Sequence, residues 1–161
     1  MPSPRDVIDS DPEIMGGTPV FTGTRVPVQS LFDYLAAGDP LKDFLEAFPT
    51  VTLRQEKAAL EMAKGALEAA ADLQSGKLEL KRWGTPAREV PVFEELLKHH
   101  LGVAMSVAAG CVIDPVQEAG WIAYNEVMER EIEQRFGKGA IDRVWNESET
   151  VYRERSARQP K

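Results

Sequence analysis

Five residues near position 52 carry side chains that read nucleic acid. Thr50, Thr52, Arg54, Gln55 and Lys57 lie close together in the chain. Arginine and glutamine form paired hydrogen bonds to guanine and adenine edges, while threonine and lysine reach phosphates. At the start of a helix that follows a tight turn, such residues stand where a recognition helix meets the duplex. The same string has a plainer reading. Thr52 and Gln55 are spaced as a capping box, and the others would then form a solvated face. The residues alone weigh the two readings equally.

A second set lies at Leu78, Leu80, Lys81, Arg82 and Trp83. The alternation in Lys77-Leu78-Glu79-Leu80-Lys81 predicts a strand. A tryptophan beside two cations suits a partner-binding anchor, or a wing laid on the DNA backbone. The alternative is that Leu78 and Trp83 pack under later helices of the same chain. A third set, Asp11, Gly16, Gly17, Gly23, Thr24 and Arg25, has turn chemistry. Arg25 could reach a phosphate, but the reading favoured here pairs it with Asp11 or Asp9, pinning the turn.

Nothing else points to chemistry. There is no Ser-His-Asp set, P-loop or dinucleotide fingerprint, so no catalytic residue and no enzyme are expected. His99, His100 and Cys111 lack the spacing of metal ligands. No metal or cofactor is expected, and Cys111 reads as a buried structural cysteine. Glu126, Glu129, Glu131 and Glu133 read as a solvated helix face.

These sets must be positioned by the elements around them. The expected fold is mainly α. Residues 1–27 form an extended arm or hairpin, and residues 28–75 a three-helix helix-turn-helix module. Residues 76–92 form a wing or linker, residues 93–155 a helical C-terminal region, and residues 156–161 a frayed tail. Gly38 closes the first helix. Asp39-Pro40 opens the second, with Asp39 as N-cap. The third runs over about residues 53–73, with Leu60, Ala63 and Leu67 facing inward. Residues 103–113 are helix or strand, and Asp114-Pro115 starts another helix. The arm's Val7, Ile8, Val20 and Phe21 have little to pack on in a three-helix module, which predicts dimerisation through the arm.

The chain has 161 residues and a net charge of −7. Residues 1–73 hold 6 basic against 12 acidic side chains, so −6 of that charge lies in the first half. This argues against a nonspecific nucleic-acid coat. No stretch reads as a membrane span or signal peptide, and one cysteine permits no intrachain disulfide, so a cytoplasmic location is expected.

The ordered set Asp11-Pro12-Glu13-Ile14-Met15-Gly16-Gly17-Thr18-Pro19-Val20, Gly23-Thr24-Arg25-Val26-Pro27-Val28, Tyr34-Leu35-Ala36-Ala37-Gly38, Phe48-Pro49-Thr50 and Ala58-Ala59-Leu60 resembles the bacterial family called domain of unknown function 433. Its members resemble VapB-type antitoxins. The resemblance covers about residues 6–68. It implies a homeodomain-like helix-turn-helix in an antitoxin that dimerises, binds its own palindromic promoter and blocks a PIN-like ribonuclease toxin. It favours DNA contact for Thr50, Thr52, Arg54, Gln55 and Lys57. The alternative is an interaction module that keeps the helix-turn-helix only as a scaffold.

Overall fold

The computed structural model describes residues 7–110 and 112–158, so the reading of Cys111 lies outside the described residues. The chain is mainly helical, as its periodicity predicts. It divides into two compact units. One runs up to Lys64 and takes in Asp114–Ile122; the other comprises Gly65–Ile113 and the chain from Ala123 onward.

The first unit starts with an antiparallel pair, β1 (Ile8–Asp9) and β2 (Val20–Phe21). The connection turns sharply at Met15, Gly16 and Gly17, with φ of 48°, 66° and 86°. Three successive left-handed residues explain the double glycine, since a side chain is costly there. Three helices follow: α1 (Val28–Ala37), α2 (Leu41–Ala47) and α3 (Leu53–Gln74), the last continuing into the second unit. Gly38 closes α1 at φ 84°, its N–H donating to the Leu35 carbonyl. Pro40, rather than Asp39, occupies the N-cap of α2.

The arm finds its core within the unit. Val20 and Phe21 are buried, and the Phe21 ring stands 6.0 Å from Phe44. Tyr34 and Phe48 extend the cluster, with Tyr34 edge-on to both Phe44 and Phe48. Val7 is buried with Ala58 of α3 and Ala119 of the returning segment. The expectation that these arm residues need a second copy is therefore corrected. Gly120 lies so close to α3 that an added Cβ would stand 2.8 Å from the Glu61 carbonyl oxygen.

The second unit contains β3 (Glu79–Trp83), α4 (Val90–Leu101) and β4 (Ala104–Ala109). Most of α5 (Pro115–Phe136) and all of α6 (Ala140–Ala157) complete it. The uncertain stretch after Gly102 is thus a strand. β3 and β4 pair in parallel, so α4 is the crossover between them. This corrects the wing: residues 89–92 do not return as a strand but enter α4. Leu67 is 72% exposed rather than facing inward, and α6 carries helix to Ala157, past the expected start of the tail. Leu80, Phe93, Leu97, Tyr124, Met128, Ile132 and Val144 form the core.

A polar anchor joins α3 to α5 within this unit. The buried Tyr124 hydroxyl donates to Asp72 at 2.6 Å, and the Lys77 ammonium donates to the same carboxylate at 3.2 Å. The Tyr124 bond, with help from Lys77, holds the Asp72 carboxyl below its ordinary range. Burial and that same bond push the phenol pKa up. Tyr124→Phe should destabilise the protein by roughly 1.5–3 kcal/mol, the worth of a hydrogen bond to a charged group. A lowered Asp72 pKa contributes stability above the ordinary carboxylate range and loses it as pH falls through the lowered value. The gap between variant and wild type in urea denaturation should therefore be widest at neutral pH and narrow in strong acid.

Candidate nucleic-acid interface

The start of α3 is fixed by a reciprocal cap. The Thr52 hydroxyl accepts from the Gln55 N–H at 3.2 Å, and the Gln55 side-chain oxygen accepts from the Thr52 N–H at 3.0 Å. The Thr52 hydroxyl also donates to that oxygen at 2.9 Å. The Gln55 amide nitrogen donates to the Thr22 carbonyl at 2.9 Å, tying α3 to the arm. Gln55 is thereby committed to structure, with one amide N–H left over. Arg54, Thr50, Thr52 and Lys57 are exposed.

The arm turn is organised around Thr24. Its hydroxyl donates to the Phe21 carbonyl at 2.8 Å and accepts from the Val26 N–H at 3.0 Å. Gly23 takes φ 77°, and Phe21 N–H closes the loop on the Val26 carbonyl. Arg25 is left exposed at the tip. Asp11 is occupied locally, accepting from the Glu13 N–H at 2.9 Å, and Arg25 forms no ion pair with Asp11 or Asp9. The expected pinning pair is corrected, because Thr24 and the glycines already hold the turn. Arg25 and Thr50 instead line one depression of about 750 Å³, together with Ile14, Gly23, Thr24 and Val26. A guanidinium and a hydroxyl thus share one depression, and Thr50 stands three residues before α3.

Lys57 lines a different depression. It lines a groove between α2 and α3 with Leu41, Leu45, Leu53 and Leu60. Glu56 lines the same groove at 1% exposure, and burial raises its carboxyl pKa, with Lys57 partly opposing. The sequence reading passed over Glu56. Its signal was a carboxylate between Leu53 and Leu60, on the apolar side of the helix.

The second set is drawn into the second unit. Leu80 is buried and Leu78 packs against the core. Lys81 donates to Glu68 at 2.6 Å and lies over the Tyr124 ring at 4.1 Å. Arg82 pairs with Glu94 at 2.7 Å, and Trp83 is only partly exposed. The Asn125 side chain brackets Lys81, accepting from its N–H at 2.8 Å and donating to its carbonyl at 2.7 Å. A free partner arm or DNA wing at Leu78, Leu80, Lys81, Arg82 and Trp83 is therefore corrected. Among the described residues, no helix is long and apolar enough to cross a membrane.

Residues 8–63 match the family described as a protein of unknown function, DUF433. The match lies within the contiguous part of the first unit, and no family model matches the rest of the chain. An uncharacterized protein, y4eO, from Sinorhizobium fredii (strain NBRC 101917 / NGR234) is 42% identical over 55 residues. Those residues are 34% of this chain and 25% of that protein, so the alignment spans a quarter of the relative's length. No solved structure matches the chain.

Gln55→Ala should remove both the cap and the arm tie, costing roughly 1–2 kcal/mol. Gln55→Glu keeps the acceptor for Thr52 but loses the donor to Thr22. It should therefore show an intermediate loss in chemical denaturation, whereas equal losses would mean that the Thr22 bond is the only contributor.

Proposed function

We propose that the first unit is an antitoxin-like DNA-binding module. In this reading the chain represses its own promoter and neutralises a PIN-like ribonuclease toxin in the cytoplasm. The observation that carries the DNA half is the exposure of Arg25, Thr50, Thr52 and Arg54, of which Arg25 and Thr50 line one depression, while Arg25 and Arg54 make no ion pair among the described residues. Cations left without carboxylate partners in an acidic segment are available for phosphate. Arg54, in the first turn of α3, is the base reader, and Arg25 contacts the backbone. Gln55 supports the reading helix rather than touching bases. The acidic first half weakens a single copy's hold, so two copies act on a palindromic site.

Fluorescence anisotropy tests this with a duplex from upstream of the chain's own gene and a scrambled duplex at the same salt. Arg54→Ala should weaken own-promoter binding by about tenfold or more, roughly 1–3 kcal/mol, and relax preference at one base position. Arg25→Ala should weaken both duplexes and lower the salt slope by about 1. Equal affinity for the two duplexes, unchanged by Arg54→Ala, would overturn the reading. The toxin half is tested by co-expression with the product of the neighbouring reading frame, where growth should be restored.

A further inference from the structure

The groove between α2 and α3 has a volume of about 430 Å³ and walls formed by Leu41, Leu45, Leu53 and Leu60. Small-molecule sites run from about 300 to 1,000 Å³, with mostly apolar walls and a few polar groups, and this groove has that size and lining. Its apolar surface stops at the rim. Leu53 is 54% exposed at the edge. The other exposed residues of α2 and of residues 53–60 are Lys42, Asp43, Glu46, Ala47, Arg54 and Lys57. A protein partner covers roughly 800 Å² of each surface around an apolar centre, and on these helices no large apolar side chain extends the patch that far. A ligand no larger than the groove fits it better.

The charges along the groove are not equivalent. Lys42 is engaged by Glu46 at 3.3 Å. Glu56 is 1% exposed, and its Oε2 has no accessible surface, so it offers an occupant almost nothing. Lys57 is exposed and makes no ion pair among the described residues. Its ammonium is therefore the charge that an occupant of the groove meets. Leucine walls take a hydrocarbon chain, and the ammonium takes an anionic head. A cationic head would face Lys57 with like charge, and a neutral one would gain little from it.

We propose that this groove binds a free medium-chain fatty carboxylate, with the chain between the leucines and the head on Lys57. Chain burial supplies most of the affinity, about fourfold for each methylene. An ion pair at a wet rim adds up to about fivefold. The acidic first half opposes an anion at long range, but physiological salt screens that field beyond about 8 Å. The proposal is independent of DNA binding.

Titration calorimetry on the full-length chain tests it, with every probe kept below its micelle-forming concentration, alongside NMR of labelled leucine methyls. Decanoate should bind about fifteenfold more tightly than octanoate and should shift the methyls of Leu41, Leu45, Leu53 and Leu60. Lys57→Ala should weaken decanoate about two- to fivefold and leave decanol unchanged. Leu53→Gln should weaken both probes at least fourfold, and circular dichroism checks that each variant is folded. Absence of decanoate binding would overturn the proposal, as would binding indifferent to both substitutions. Decyltrimethylammonium binding as tightly as decanoate would overturn the anionic head. Shifts of the same methyls on concentrating the protein without ligand would give the groove to a second copy instead. Binding to phosphatidylglycerol vesicles with none to free decanoate would give it to a membrane surface, and either result overturns the proposal.

Discussion

The burial of Phe21 against Phe44 is the contact on which the first unit depends. Two-residue strands are too short to hold themselves together in water. With Phe21 fixed in the aromatic cluster, the Thr22 carbonyl that follows it meets Gln55, and the cap of α3 and the arm become one structure. The Thr24 turn then closes on Phe21 itself, which sets Arg25 at the tip beside Thr50. The placement of an exposed cation is in this way decided by an apolar contact several residues away.

The second unit meets a different constraint. A parallel pair of strands leaves an outer edge of unpaired backbone groups on each strand. On β3 the Asn125 amide fills that role at Lys81, matching both the N–H and the carbonyl as a neighbouring strand would. Its neighbour Tyr124 reaches Asp72 and underlies the Lys81 ammonium. Side chains that look like a charged surface strip in the sequence are therefore spent on internal cohesion. Polar groups so committed give specificity to an otherwise small core.

The helices and most of their ends were legible where the signal was local, although Pro40 rather than Asp39 caps α2. Gly38, the Thr52–Gln55 cap and Asp114-Pro115 each act within one turn, and their structure follows from a few neighbouring residues. The path of β3 was not legible, because pairing with β4 is set across α4, and alternation marks a strand without naming its neighbour. The DUF433 segment was readable as an ordered set of turns. Within the candidate site, the exposure of Arg54 and Thr50 agrees with their position at a helix start. The freedom of Arg25 did not show, since nearby aspartates looked like partners while Thr24 held the turn instead. Glu56 was hidden for a related reason: charge suggests a solvent face, and only the packing of α2 on α3 puts it under leucines.

The first unit is not continuous in the chain. Ala119 covers Val7 and Ala58, and Gly120 lies against Glu61, yet both arrive after the whole β3–α4–β4 segment. As the chain leaves the ribosome, the arm and three helices emerge before Ala119 and Gly120, with one apolar flank bare. The missing cover must be synthesised before that flank can close, and such late contacts delay folding. The segment that matches the family model thus matures on a schedule set by the residues after it, and a nascent chain halted before α5 would display Val7 and Ala58 to the chaperones that patrol exposed apolar surface.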